Sequence, residues 1–193
     1  MGSQHIGMCI VGSGRIGSVR AQCAANNGIV DYLAVCDLDG AKAEKLAKSC
    51  GADCWSTDYR ELINKPEIDG IIVATGANSA YAPTIDFLNC GKDVLVEKPF
   101  ITDPVKAVEV VNTAEKNNCL LCVGYTNRFR RRFLSAKEQI TAGYIDKIES
   151  ASAMQYGTEA SAQAIAEKRP GENFALTQMQ YVIDLMLWFS DFK

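Results

Sequence analysis

The most constraining feature of this sequence is a glycine pattern that directly follows a short apolar run. Residues 6–11 read Ile-Gly-Met-Cys-Ile-Val, and residues 12–17 read Gly-Ser-Gly-Arg-Ile-Gly. Where a strand turns tightly into a helix, the first glycine permits the turn and the second leaves the backbone open to a ligand. The third glycine lets the helix pack closely on the strand. The N–H groups and dipole of that helix favour a phosphate, so the pattern predicts a dinucleotide site.

An acidic residue strengthens this prediction. Asp37 follows Gly17 by twenty residues and ends the next apolar run, residues 32–36. A carboxylate at this place accepts hydrogen bonds from the ribose hydroxyls of a dinucleotide. It would also repel a 2′-phosphate, and the neighbouring Leu38 adds no positive charge, so NAD is expected in preference to NADP. The alternative is a glycine turn with a purely structural purpose.

Strand-like and helix-like segments alternate along residues 1–125. Apolar runs predict strands at 6–11, 32–37, near 54–55, and at 68–75, 93–97 and 119–125. Helix patterns lie between them, at 15–26, 41–48, 58–64, 81–90 and 103–117. Such alternation predicts an α/β fold with a doubly wound parallel Rossmann sheet in the order 3-2-1-4-5-6. The ligand is then expected at the carboxyl ends of strands one and four.

The regular alternation of strand-like and helix-like segments ends at residue 125. We therefore predict a dinucleotide-binding domain at 1–125 and an incomplete α+β domain at 126–193. In the second part we expect a helix at 134–142, a strand at 148–156, a polar loop at 159–173 and a long apolar helix at 174–189. Residues 127–133 are basic with interleaved aromatics. Such a run can bind nucleic acid, but a solvated helix start or a cofactor-facing loop fits an acidic protein better.

The composition excludes several classes of protein. A net charge of −3 gives no support for binding nucleic acid or a membrane surface. No apolar run approaches the about 18–20 residues of a membrane span. The single histidine, His5, lies near the N-terminus, so histidine-based triads and metal sites are not expected. The eight cysteines are scattered along the chain, which favours reduced thiols and a cytoplasmic location.

A second candidate for chemistry closes the fifth predicted strand, at Glu97-Lys98-Pro99. The nicotinamide of a bound dinucleotide would lie near this end of the sheet. Pro99 restricts Lys98 to an extended conformation, which limits the direction of its side chain. Lys98 could take the proton from an alcohol as its hydride leaves. The alternative is a surface lysine after a strand.

Taken together, five blocks resemble the glucose–fructose oxidoreductase/inositol dehydrogenase (Gfo/Idh/MocA) family of NAD(P)-dependent oxidoreductases. The blocks are residues 12–17, 35–37, 73–75, 91–99 and 124–129. The resemblance implies that Lys98 is catalytic and that Thr75, Asn78, Glu97 and Arg128 line the cofactor side. The predicted cofactor-binding set is therefore Gly12, Gly14, Arg15, Ile16, Gly17, Asp37, Thr75, Asn78, Glu97, Lys98 and Arg128.

The sequence departs from this family at a helix of the second domain. The family usually carries an Asp and a His four residues apart, where this chain has Thr177 and Tyr181. One branch of the family uses a tyrosine in place of the histidine, so the resemblance implies that Tyr181 is the acid. Helical spacing places Thr177, Tyr181, Asp184 and Trp188 on one face. The alternative for Tyr181 is an aromatic side chain packed in a core.

The expected function is an NAD-dependent oxidoreductase of the inositol/sugar dehydrogenase type. It would act on a secondary alcohol or ketone of a small polyol or sugar-like substrate. The resemblance implies a large, mostly antiparallel sheet after the helix predicted at 174–189, so we expect a homo-oligomer or a chain completed by a further C-terminal segment. The alternatives are a truncated, non-catalytic NAD(P)-binding or interaction protein and, less favoured, another Rossmann enzyme such as a methyltransferase.

Overall fold

The structure is a computed structural model that describes residues 5–168 and 175–191. The chain divides into two compact units, residues 1–124 and 125–193, which we describe separately. None of the described helices is long and apolar enough to cross a membrane.

The first unit is a six-stranded sheet with helices in the connections. Its strands are β1 (Ile6–Val11), β2 (Val30–Cys36), β3 (Cys54–Ser56), β4 (Gly70–Val73), β5 (Asp93–Val96) and β6 (Leu121–Val123). Its helices are α1 (Arg15–Ala25), α2 (Gly40–Cys50), α3 (Arg60–Ile63), α4 (Tyr81–Asn89) and α5 (Pro104–Lys116), with a 3₁₀ turn at Ala77–Ser79. The strands pair in parallel in the order β3-β2-β1-β4-β5-β6. This order confirms the predicted Rossmann topology.

Two apolar cores cover the two faces of this sheet. Cys9, Ile71 and Val94 belong to one core together with Phe87 of α4 and Val110 of α5. The other core contains Ile10, Leu33 and Val35 of the sheet and Ala21 of α1. A strand that is buried on both faces has to be apolar at successive positions, which explains the continuous apolar runs of the sequence. Parallel strands also place all their carboxyl ends along one edge, and the site described below lies there.

The regular structure in the described part of the second unit is all helical. It contains a 3₁₀ turn at Thr126–Phe129, α6 (Arg131–Thr141), α7 (Glu159–Lys168), a π-helical turn at Ala175–Met179 and α8 (Gln180–Ser190). The predicted strand at 148–156 is wrong, because this segment has no regular structure. Met154 and Tyr156 are more than three-quarters exposed, and no strand of the described part of this unit is available to pair with them.

The predicted polar loop at 159–173 is wrong over its first part. Residues 159–168 form α7, whose sequence is rich in alanine, glutamate and glutamine, all good helix formers. The loop was predicted from the polarity of this segment alone, and polarity does not distinguish a loop from a helix that is exposed to solvent. The predicted start of the last helix at Phe174 lies outside the described residues.

Candidate functional site

The glycine turn between β1 and α1 gives its three glycines different surroundings. Gly12 has φ +106°, and an added Cβ would lie 2.8 Å from the backbone oxygen of Ala74. An added Cβ on Gly17 would lie 1.7 Å from the backbone oxygen of Gly12. These two glycines are needed for the turn itself. At Gly14, by contrast, an added Cβ would meet no atom within 4 Å, so the backbone there faces open space.

Asp37, directly after β2, is hydrogen-bonded to this turn. Its Oδ2 accepts a hydrogen bond from the backbone N–H of Ser13 at 2.6 Å, and its Oδ1 accepts one from the N–H of Asp39 at 3.0 Å. Sequence reasoning assigned Asp37 to the ligand alone and missed this second contact. The carboxylate therefore links β2 to the glycine turn while staying next to the cavity described below.

A cavity of about 550 Å³ opens where the carboxyl ends of β1 to β4 meet. It is lined by Val11, Gly12, Gly14, Cys36, Asp37, Leu38, Thr57, Asp58, Tyr59, Arg60, Ala74, Thr75, Gly76, Ser79 and Pro83. This volume falls within the range of small-molecule and cofactor sites. Of the predicted cofactor residues, Gly12, Gly14, Asp37 and Thr75 line it.

The loop after β3 and the first residue of α3 contribute four lining residues that sequence reasoning missed, Thr57 to Arg60. Asp58 caps this loop, because its Oδ1 accepts a hydrogen bond from the backbone N–H of Arg60 at 3.0 Å. The Tyr59 hydroxyl donates to Asp86 of α4 at 2.7 Å. Burial and Asp86 raise the pKa of Tyr59 to about 12, so this hydroxyl stays a donor. The predicted sheet order could have identified these residues, because it places the carboxyl end of β3 next to the end of β2, where Asp37 lies.

Three predicted residues lie elsewhere in this unit. Arg15 and Ile16 are exposed in the first turn of α1, directly after Gly14. Asn78 is exposed in the 3₁₀ turn after β4. None of the three lines the cavity. Their predicted cofactor contacts stay predictions.

Glu97 is directed toward the interior of the first unit. Its carboxylate accepts a hydrogen bond from Arg20 Nε of α1 at 2.7 Å, and 9% of its side chain is exposed. An added Cβ on Gly124 would lie 2.7 Å from Glu97 Oε2, so the absence of a side chain at Gly124 makes room for the carboxylate. Lys98 follows it half-buried, joined to Pro99 by a cis peptide bond.

Arg128 is held within the second unit. Its Nε lies 2.9 and 3.1 Å from the two carboxylate oxygens of Asp184, and its guanidinium lies 5.7 Å from the ring centroid of Trp188. The Asp184 side chain is 5% exposed. Arg128 therefore has partners inside this unit, and its predicted contact with a cofactor stays a prediction. Both contacts come from α8, which agrees with the predicted shared face of Asp184 and Trp188.

Thr177 and Tyr181 also belong to the second unit. Thr177 is fully buried, and it lies in the π-helical turn rather than in α8. Tyr181 is half-buried in the first turn of α8. A π-turn adds a residue to the helical repeat, so the regular spacing assumed for Thr177 and Tyr181 does not hold across this junction.

No metal centre is found among the described residues. Within residues 5–168 and 175–191, no group of three or more His, Cys, Asp or Glu side chains could hold a metal ion.

The cavity fits a dinucleotide on two counts. Gly14 leaves its backbone open where a phosphate would approach, and Asp37 lies at the adjoining wall. The Ser13 hydroxyl oxygen, in the same turn, is buried and has no hydrogen-bond partner among the described residues, but Ser13 does not line the cavity.

Residues 6–125 match the model of GFO_IDH_MocA, an oxidoreductase family with an NAD-binding Rossmann fold. The chain belongs to this family. It is 29% identical over 147 residues to the rhizopine catabolism protein MocA of Rhizobium meliloti, covering 76% of this chain and 46% of that protein. It is 31% identical over 145 residues to the inositol 2-dehydrogenase/D-chiro-inositol 3-dehydrogenase of Lactiplantibacillus plantarum, covering 72% and 40% respectively.

Solved structures of family members share the fold. The myo-inositol 2-dehydrogenase of Lactobacillus plantarum superposes with a TM-score of 0.79 and 25% identity, over 97% of this chain and 57% of that one. The scyllo-inositol dehydrogenase of Lactobacillus casei with bound NAD(H) and scyllo-inositol gives 0.82 and 22% identity, over 97% and 56%. The chain thus spans less than half the length of the two curated relatives above and somewhat more than half of these structures.

Proposed function

We propose that this chain binds NAD(H) in the glycine-turn cavity and serves an oxidoreductase of the inositol/sugar dehydrogenase type. The observation that carries the proposal is the contrast among the three glycines, two packed against backbone and Gly14 open to the cavity. If the turn were purely structural, position 14 would not require a glycine, because an added Cβ there would meet no atom within 4 Å. Membership of a family with an NAD-binding Rossmann fold supports the same ligand.

The residues of the first unit would divide the work of binding. The backbone at Gly14 and the N-terminus of α1 would hold the pyrophosphate. Asp37 would accept hydrogen bonds from ribose hydroxyls, and Thr75 would line the wall across the cavity. Leu38, whose side chain is 91% exposed, would gain cover from the ligand.

The proposed reaction moves a hydride between the nicotinamide and a carbon of a small polyol or sugar-like substrate. When bound, the nicotinamide accepts or gives the hydride. Lys98 would take the proton from the hydroxyl of a secondary alcohol as the carbon loses its hydride, and would return it in the reverse direction. Tyr181 would be a second group for this proton transfer. The names of the inositol dehydrogenase relatives support this substrate class.

Cofactor binding is tested by titrating the chain with NADH and NADPH and following their fluorescence. We expect tighter binding of NADH, and a loss of about 10- to 100-fold in NADH affinity in Asp37→Ala, since a charge-assisted hydrogen bond contributes about 1.5–3 kcal/mol. Tighter binding of NADPH, or an unchanged NADH affinity in the variant, would refute the assignment.

Catalysis is tested by incubating the chain with NAD⁺ and a panel of polyols and following the absorbance of NADH. Lys98→Met should lower any turnover on the order of 10²–10⁴-fold while leaving NADH affinity within a few-fold. Retained activity in this variant would remove Lys98 from the mechanism. NADH binding without turnover of any polyol would favour the non-catalytic alternative.

A further inference from the structure

Arg60 is the one cationic side chain among the described residues that line the cavity. Two carboxylates approach its guanidinium. Arg60 Nη1 lies 3.6 Å from Asp58 Oδ1, and Nη2 lies 3.9 Å from Asp86 Oδ2. The same guanidinium lies 4.7 Å from the ring centroid of Tyr59. The Arg60 guanidinium therefore lies near Asp58 and Asp86, although 62% of its side chain is exposed.

We infer that Asp58 is a second determinant of selectivity for NAD over NADP, because its carboxylate neutralises the one cationic side chain of the cavity lining. An arginine in this part of a Rossmann site can receive the 2′-phosphate that distinguishes NADP. With Asp58 and Asp86 beside it, Arg60 offers less net positive charge to such a phosphate. The inference rests on the proposed function and extends it beyond Asp37.

The electrostatic surroundings of Cys36 support this inference. Cys36 lines the cavity between the residues concerned, and burial, Asp37, Asp58 and Glu61 together raise the pKa of its thiol to about 12. Asp37 and Asp58 therefore act on the same part of the cavity wall. A phosphate entering there would meet two carboxylates rather than one.

One further cation belongs to this region but lies outside the lining. The Lys42 ammonium group is 3.0 Å from Asp39 Oδ2, across the first turn of α2. The pKa of Lys42 is raised, mainly by its hydrogen bond to Asp39 and to a smaller extent by Asp37. Lys42 is thus a second cation that could contact a 2′-phosphate. The experiment therefore has to distinguish an effect of Arg60 from an effect of Lys42.

The test compares NADH and NADPH affinities of the full chain and of Asp58→Asn by fluorescence titration. Asparagine retains an oxygen for the Arg60 N–H, so the loop keeps its cap. Removing one negative charge about one Debye length from a 2′-phosphate should raise NADPH affinity about 2- to 6-fold at low ionic strength. NADH affinity should rise less than NADPH affinity, because NADH carries no 2′-phosphate, so the ratio of the two affinities is the quantity that decides.

The role of Arg60 is isolated by the double variant Asp58→Asn/Arg60→Met. Methionine keeps an unbranched apolar side chain over Tyr59 but has no charge. The gain in NADPH affinity should disappear in this double variant. The control is Asp31→Asn, which removes a negative charge at the opposite end of β2, where Asp31 pairs with His5 at 3.5 Å.

Three outcomes would overturn the inference while leaving the proposed function intact. They are an unchanged NADPH affinity in Asp58→Asn, a gain that survives in the double variant, and an equal gain in Asp31→Asn. A surviving gain would point to Lys42 or to the general field of the protein. Failure of the unaltered chain to bind NADH at all would instead refute the proposed function, and the inference with it.

Discussion

Arg20 of α1 and Glu97 at the end of β5 form an ion pair, with Arg20 Nε 2.7 Å from Glu97 Oε1. Their side chains are 24% and 9% exposed. Gly124, after β6, leaves the space that the carboxylate occupies. The pair therefore ties the helix that begins at the candidate phosphate site to the strand end that precedes Lys98.

Replacing Arg20 by methionine should destabilise the first unit. A partly buried carboxylate that loses its partner costs about 2–4 kcal/mol, somewhat less than in a fully buried pair because Arg20 is partly exposed. The free energy of unfolding from urea titration measures the effect. The matched control is Lys48→Met, which breaks an exposed pair with Glu44 and should cost less than about 0.5 kcal/mol.

The double variant Arg20→Met/Glu97→Gln distinguishes a lost ion pair from lost packing. It should recover part of the stability, because a neutral amide is cheaper to bury without a partner than a carboxylate. Equal losses in Arg20→Met and in the Lys48 control would contradict the importance of this pair.

Substitutions of the two glycines at the ends of α1's first turn should have opposite consequences. Gly14→Val should abolish NADH binding with little loss of stability, because its side chain would enter open space that the pyrophosphate needs. Gly17→Ala should instead destabilise the fold, since its Cβ would lie 1.7 Å from the Gly12 oxygen. Thermal unfolding and NADH titration of both variants measure this contrast. Normal NADH binding in Gly14→Val would mean that the turn is only structural.

The first unit was predictable because its signals are local. A glycine pattern, apolar runs and their alternation with helices are each encoded within a few residues. They were sufficient for the sheet order and for placing Gly12, Gly14 and Asp37, whereas Thr75 was assigned from the family resemblance. The cavity residues after β3 were missed, because β3 and α3 are only three and four residues long. So short a strand and helix leave almost no periodic pattern in a sequence.

Long-range side-chain partners were beyond the reach of sequence patterns. Arg128 and Asp184 are 56 residues apart, and Arg20 and Glu97 are 77 apart. No local periodicity links such positions, so Glu97 and Arg128 were assigned to a ligand although each also has a partner within its own unit. The strand expected at 148–156 failed for a related reason, since strand formation depends on a neighbour that the local sequence does not reveal.

Cys36 should resist alkylation at ordinary pH although it lines the cavity. The thiolate is the reactive form, and a thiol with a pKa of about 12 is ionised to roughly 10⁻⁴ at pH 8. Its reaction with iodoacetamide should rise as the pH approaches 12. Peptide mass spectrometry after labelling compares it with the exposed Cys23, Cys90 and Cys122. Labelling of Cys36 at pH 8 as fast as these three would contradict the prediction.

The same shift makes stability depend on pH. The folded chain holds the Cys36 proton to a higher pH than an unfolded thiol, whose pKa is about 8.5. This contribution to stability is therefore complete below about pH 8.5 and is lost as the pH rises toward 12. Cys36→Ser should weaken this alkaline loss, which urea titrations between pH 8 and pH 10.5 can detect.

The apolar surface of α8 and the π-turn before it predicts self-association. Ile183 and Leu187 are four residues apart in α8 and are 51% and 44% exposed, so they form one stripe along the helix, and Met179 in the π-turn before it is 48% exposed. Leu185 and Asp184 are buried instead. A continuous exposed apolar stripe of this kind favours contact with a second apolar surface, and in a pure solution the available partner is another copy of the chain.

Light scattering of the purified chain should therefore give a mass above that of one chain, increasing with concentration. Ile183→Gln/Leu187→Gln should shift it toward the monomer, because two amides in the stripe would have to be desolvated on association. The control is Val105→Gln/Val108→Gln on α5, whose valines are 76% and 59% exposed but belong to the first unit. A strictly monomeric chain at all concentrations, or dissociation by the α5 variant alone, would show that the α8 stripe does not drive association.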